Sequence, residues 1–262
     1  MIGLLKRATY PLVSFATVFL IWEVSVRAFH VPNYILPDLS QIVKALQFGY
    51  IEGHYWQHFW FTLRATFMGY CLGTLLAITF GALLAEVSVV DRFIYPLIVA
   101  VQSMPKVALA PLIIVWFGFG IESKIVMVAL ICFFPIFVNV MNGLKSIDHN
   151  LVDMMRICGC SRFEILWQAK LPHAAGSIFA GMQIAVVLGL IGAVVGEFIA
   201  STQGLGFLIQ AGSNALELGT VFAGLVSLSF IGICGTQLLR VLQSRIVFWE
   251  RKTSSSIGTA ES

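Results

Sequence analysis

Six stretches of about twenty mostly apolar residues follow one another along this chain, at about 10–29, 60–85, 93–117, 123–143, 174–200 and 218–240. Each is long enough, at 1.5 Å of helical rise per residue, to cross a hydrocarbon layer about 30 Å thick. Only helices and closed barrels satisfy every backbone group in lipid. Nothing here alternates with period two, so the expected fold class is all-α: a polytopic membrane helical bundle with about six transmembrane helices. Composition agrees, because only 11% of the residues are charged, less than half of what a soluble domain carries. The third stretch is the least regular, with three prolines in it.

Lys and Arg set the orientation. A cytoplasmic N-terminus puts Lys6, Arg7, Arg92, Lys145, Arg156, Arg162, Lys170, Arg240, Arg245, Arg251 and Lys252 inside, eleven of the sixteen basic residues. Arg27, Lys44, Arg64, Lys106 and Lys124 remain elsewhere. Both termini are then cytoplasmic, and the net charge of +3 needs no nucleic acid to explain it. The Lys6-Arg7 start followed by an apolar run is similar to a signal peptide. The run holds Glu23 and has no small-x-small cleavage site, so a retained helix is expected. The expected organisation is a first spanning helix (1–29), an outer amphipathic segment (30–59), a transmembrane core (60–245) with a loop at 147–172, and a polar tail (246–262). The outer segment contains "PDLSQIVKAL", a short helix capped by Asp38 or Ser40. Cysteines 71, 132, 158, 160 and 234 avoid the outer face, which predicts no disulfides, and Cys158-x-Cys160 has no second Cys or His pair nearby with ligand spacing, so no metal site is expected. His54 and His58, four apart in "HYWQHFW", read as part of an interfacial aromatic belt.

Four places interrupt the apolar background. In "QSMPKVALAPL" (102–112), Pro105 and Pro111 each break a helical hydrogen bond. Lys106 beside them would cost about 2.5–3.5 kcal/mol at a helix centre. Either it snorkels to the cytoplasmic interface or it lines a path. Glu197 falls far along the fifth span, which predicts a solvated or gate-region carboxylate near the outer surface. "QGLGFLIQAG" (203–212) is either an outer loop or a segment dipping back into the membrane. The fourth is "DMMRICGCSRFEILWQAKLP" (153–172), cytoplasmic by the charge rule.

Local chemistry shapes that last stretch. Asp148 or Asn150 can cap a helix through Leu151, Met154, Met155 and Ile157, and Gly159 ends it. Ser161 with Glu164 makes the S-x-x-E capping box of a second helix. Leu171-Pro172 closes the second helix. The result is an elbow of two short helices that exposes methionines, an isoleucine and aromatics, either to a protein partner or to lipid headgroups.

The segment resembles the EAA loop of ATP-binding-cassette importer permeases. In that loop an acid is followed by two small residues, a glycine six positions after the acid, and Leu-Pro at eighteen and nineteen. Here these are Asp153, Met154-Met155, Gly159, Leu171 and Pro172, with Asp for Glu and methionines for the usual alanines. "ILPDLSQIVKAL", "PKVALAPLIIVWFGFG", "FFPIFVNVMNGL" and "GEFIASTQGLGFLI" follow in the order seen in binding-protein-dependent permeases of the nitrate, sulfonate, taurine and bicarbonate type. The resemblance covers roughly residues 30–240. It implies a multi-pass protein of the prokaryotic inner membrane that forms a solute path. It implies three kinds of partner: cytoplasmic P-loop ATPase subunits, an outer substrate-binding protein and a second permease copy. The elbow becomes a coupling helix between spans four and five, docking the ATPase through Asp153, Met154, Met155, Ile157, Gly159, Ser161, Leu171 and Pro172. ATP and Mg would sit on the partner, since no G-x-x-x-x-G-K-[ST] loop occurs in the chain, and no cofactor is expected on the chain itself. It is then not itself an enzyme. Path candidates are Gln102, Ser103, Met104, Lys106, Asn139, Asn142, Gln183 and Glu197, though polar groups in spans also simply tie helices together. The alternative is a gradient-driven secondary transporter, which would want several ionisable groups at mid-membrane. Glu23 and Glu197 are the few acidic candidates in spans.

Overall fold

A computed structural model describes residues 2–86, 93, 97–98 and 100–249. Arg92, most of 87–99 and the polar tail from 250 lie outside the described residues. The described chain is helical: α1 (Ile2–Ala28), α2 (Leu39–Ile51), α3 (Trp56–Glu86), α4 (Ala110–Phe117), α5 (Ile121–Lys145), α6 (His149–Ile157), α7 (Arg162–Ile165), α8 (Leu171–Ala200), α9 (Leu205–Asn214) and α10 (Leu218–Ile246). Among the described residues, four helices are long and apolar enough to cross a membrane: α3, α5, the continuous run Arg162–Ala200, and α10. The other two expected spans are α1, which carries Lys6, Arg7, Glu23 and Arg27, and the third, which is broken at Pro105.

The chain forms two compact units. The first comprises residues 1–61 and 202–228. Asp38 caps α2, accepting from the Gln41 backbone N–H at 2.7 Å. Glu23 accepts from the Leu39 N–H at 2.9 Å and from Arg27 Nε at 2.7 Å, so this carboxylate anchors the start of α2. Gly49 has no room for a side chain, since a Cβ would stand 2.0 Å from the Tyr55 ring. Tyr50 donates to Ser227 Oγ at 2.7 Å. His58 Nδ1 accepts from the Gly204 N–H at 3.1 Å, and its ring stacks on Phe207. Gly204 has φ +113° and turns the chain into α9. The stretch at 203–212 is therefore chiefly a packed helix, holding its place through buried Leu205, Leu208 and Ile209.

The second unit comprises residues 62–201 and 229–262, and α5 is its centre. The face of α3 that meets α5 is built of small residues every fourth position: Ala65, Gly69, Gly73, Ala77 and Gly81, all buried. At Gly73 a Cβ would stand 2.7 Å from the Ala129 carbonyl oxygen. α8 repeats the device with Gly181, Ala185, Gly189 and Ala193, also buried. A Cβ at Gly181 would stand 2.7 Å from Asn139 Cβ. Lipid tails are as apolar as leucine, so span association relies on close packing, and small residues allow it. The large apolar residues Phe67, Leu75, Phe230 and Ile233 point outward.

Candidate functional site

The elbow is built by local hydrogen bonds. Asp148 Oδ1 accepts from the Asn150 N–H at 2.9 Å and opens α6. Gly159, at φ +85°, closes it. Its N–H donates to Arg156 O, and the Cys160 N–H reaches back to Met155 O, both at 3.0 Å. These two bonds form the paired closure that requires a left-handed residue after a helix. Ser161 Oγ accepts from the Glu164 N–H at 3.3 Å, and Glu164 Oε2 accepts from the Ser161 N–H at 2.7 Å. These bonds hold the Glu164 carboxyl below its ordinary value, the backbone N–H first and the Ser161 hydroxyl second. Ile147, Val152 and Ile165 form a small core under the elbow, with Met155 packed against it.

Ile157 is 87% exposed, and Met154, Phe163 and Trp167 are each more than half exposed. Met155 is half-buried, which corrects the expectation of three exposed anchors. One turn of helix separates Met155 from Val152 and turns both toward the elbow's core. Asp153 pairs with Arg156 at 3.2 Å. The second elbow helix also does not stop at Leu171-Pro172. It runs through a π turn, Leu166–Lys170, into α8. Pro172 has no N–H, and it falls directly after the π turn, at the second position of α8. The Leu171 N–H reaches back to Leu166 O, a five-residue step that absorbs the change of register. Lys170 then ties this exit to Glu86 at 2.5 Å.

The path candidates separate into four groups. At the helix break Gln102, Ser103 and Met104 are exposed. Pro105 is extended (ψ 95°), and a 3-10 turn covers Lys106–Leu109. Pro111 falls in the first turn of α4, so of these two prolines Pro105 is the one that breaks the helix. Lys106 Nζ donates to Gln102 O at 3.0 Å and stands 4.8 Å from the centre of the Phe134 ring. Phe134 is about 20 Å along α5 from Ile121, near that helix's midpoint. The Lys106 ammonium therefore stands beside the middle of α5 and not beside either of its ends. A cavity of about 240 Å³ opens there, lined by Gln102, Lys106, Ile131, Phe134, Leu188 and Ile191.

Asn139 Nδ2 donates to Pro135 O at 2.8 Å within its own helix. Gln183 Nε2 donates to Gln243 Oε1 at 2.6 Å, tying α8 to α10. Asn142 is exposed at the far end of α5. None of these three lines the Lys106 cavity.

Glu197 corrects the expectation of a solvated carboxylate. It is fully buried and accepts from Thr62 Oγ1 at 2.7 Å. Glu197 is the next step of the buried series 181-185-189-193, so its face of α8 turns it inward whatever its depth. Lys124, one of the five basic residues left out of the cytoplasmic set, is also fully buried. Its ammonium donates to Phe119 O at 2.9 Å and to Ala200 O, within electrostatic reach of Glu197. Gly196 leaves room for the Lys124 stem, its Cβ position lying 3.4 Å from Lys124 Cγ. Thr62, Lys124 and Glu197 thus join α3, α5 and α8. The sequence signal for this was the four-residue period of α8.

Residues 73–248, two thirds of the chain, match the family described as binding-protein-dependent transport system inner membrane component. The chain belongs to this permease family. The permease is 33% identical over 246 residues to the formylaminopyrimidine transport permease protein ThiX of Halalkalibacterium halodurans, with 94% of this chain and 98% of the relative covered. It is 33% identical over 250 residues to the riboflavin transport system permease protein RibX of Chloroflexus aurantiacus, covering 94% and 93%. Against the taurine transport system permease protein TauC of Escherichia coli it is 29% identical, covering 87% and 84%. Its fold matches a chain of the inward-facing MetNI methionine transporter with TM-score 0.61 at 18% identity, over 73% of the permease and 97% of that chain. The permease is therefore a multi-pass inner-membrane subunit of an ATP-binding-cassette importer. Membership implies an ATPase and a substrate-binding protein as its partners.

Proposed function

We propose that the elbow is the permease's dock for its ATPase. The single observation that carries this is the exposed apolar group of Met154, Ile157, Phe163 and Trp167 on a doubly capped projection. Such a group on a rigid elbow suits a protein groove. Asp153, Gly159, Ser161, Leu171 and Pro172 shape and orient it, and Met155 packs it from below.

Two permease copies pair, each elbow seated on one ATPase subunit. ATP and Mg are held by those subunits, and the chain contributes no phosphate loop of its own. ATP binding draws the two ATPase subunits together and moves the elbows with them. The π turn and the Lys170–Glu86 ion pair pass that movement to α8 and α3. The permease pair then changes from inward-open to outward-open. The energy comes from the difference in ATP affinity between the two states.

The relatives' names give formylaminopyrimidine, riboflavin, aliphatic sulfonates and taurine as cargo. These share no scaffold, so the cargo is a small organic solute chosen mainly by the binding protein. The test is co-purification from the native host in mild detergent. Wild type brings down a P-loop ATPase. Gly159→Pro, which cannot adopt φ +85°, and Ile157→Asp, which leaves the caps intact, lose it. An ATPase that stays with Ile157→Asp sinks the docking role. Uptake driven by an ion gradient with no ATPase present would favour a secondary transporter instead.

A further inference from the structure

Lys106 has two properties that belong together only in a binding site. It lies beside the middle of α5, where a cation facing lipid is untenable, so ionisable groups at this depth face a cavity or a partner charge. Among the described residues no carboxylate pairs with it, and both groups that it touches, the Gln102 carbonyl and the Phe134 ring, are uncharged. An ammonium has three donors, and the carbonyl uses one. Among the described residues nothing compensates the positive charge, which borders a cavity of about 240 Å³.

The backbone gives a second, independent sign. The chain is broken at Met104–Pro105, and non-helical backbone at membrane depth is tolerated only in protein or against a water-filled cavity. Break, cation and cavity coincide. Around the cation the walls are apolar: Ile131 and Phe134 from α5, Leu188 and Ile191 from α8.

We propose that this cavity is an anion site on the transport path, taking the sulfonate, carboxylate or phosphate group of a small organic solute at Lys106 and its apolar body against Ile131, Leu188 and Ile191. The inference rests on the permease reading above. A lipid headgroup is excluded as the source of the anion by depth, since headgroups lie at the two faces of the bilayer. Lys106 positions the anionic end, and the Gln102 side chain lines the same space as a second donor.

The test reads local charge and needs no knowledge of the cargo. The five native cysteines, all free thiols, are replaced, and Ile191→Cys is introduced in the full permease prepared with its partners. Its labelling rates with an anionic sulfonatoethyl and a cationic trimethylammonioethyl methanethiosulfonate are compared, each against the same reagent on a free thiol. Asn33→Cys, exposed in the outer segment, is the reference. The anion-to-cation ratio at Ile191→Cys should exceed the reference by tenfold or more, equivalent to about 1.4 kcal/mol. Adding Lys106→Gln should bring it to the reference, and Lys106→Arg should keep it. Excess benzenesulfonate should slow labelling where phenyltrimethylammonium does not. The proposal is overturned if the ratio survives Lys106→Gln, if neither reagent reaches Ile191→Cys, or if benzenesulfonate gives no protection. ATPase co-purification is scored in the same preparations. An ATPase retained without an anion preference sinks this site alone. An ATPase lost sinks the docking proposal, while the labelling ratio still decides the site.

Discussion

Two lysines in the same unit show two ways for an apolar bundle to hold a positive charge. Lys124 is sealed: fully buried, bonded to two backbone carbonyls, and within reach of the Glu197 carboxylate. Lys106 is half-buried, bonded to one carbonyl and a ring face, and open to a cavity. The first arrangement satisfies a charge internally and so ties helices together. The second leaves a charge for something that is not part of the chain. Similar sequence settings, a lysine near the start of an apolar run, lead to opposite roles because, among the described residues, only Lys124 has carboxylates within electrostatic reach.

The largest effect expected from this contrast is at Glu197. Glu197→Ala removes one of the two carboxylates, with Glu122, whose charge reaches the buried Lys124 ammonium, and the acceptor of the Thr62 hydroxyl, and should cost about 3 kcal/mol. A steep loss of thermal stability in detergent, by fluorescence size-exclusion, is the readout. Replacing the pair together, Lys124→Met with Glu197→Leu, should recover most of it. If Glu197→Ala melts like wild type, the clamp description is wrong.

Lys106→Met should move stability in the other direction, raising it by up to about 2.5 kcal/mol, because a mid-span charge without a counter-ion is removed. The same melt decides. A loss of stability would mean that Lys106 is a structural tie like Lys124, and the contrast would collapse.

Smaller still is Ser161→Ala, which removes one side of the capping box and should cost about 1 kcal/mol, seen as faster amide exchange at Glu164 and Ile165. The spans should be unaffected, which separates the elbow from both lysine sites.

The smallest effect is on acidification. The Glu164 carboxyl is held below its ordinary 4.5, so its contribution is fully present above that value. It is lost as pH falls through the lower, folded value. Exchange at the elbow, corrected for its intrinsic pH dependence, should rise below about pH 4.5 and be blunted in Glu164→Gln.

The elbow was legible because its determinants are local. Asp148 and Asn150, Gly159, and Ser161 with Glu164 act within three residues of one another, so spacing alone specifies them. Its exit was misread: Leu171-Pro172 looked like a stop, and only the π turn shows how the chain passes a proline without ending the helix. Glu197 was misplaced because depth along α8 was counted and its face was not. The period of four through Gly181, Ala185, Gly189 and Ala193 was available in the sequence. For Lys124 no local signal existed, since one of its carbonyl partners, Ala200, lies 76 residues away.

By itself, the sequence determined the all-helical class, the order of the long apolar segments and the shape of the elbow. Those depend on hydrophobicity and on hydrogen bonds between near neighbours. Tertiary structure decided which polar groups are sealed and which stay open. That choice depends on what a side chain faces across a helix–helix contact. At Lys124 it faces α8 and Glu197, and at Lys106 it faces a cavity that the described residues leave open.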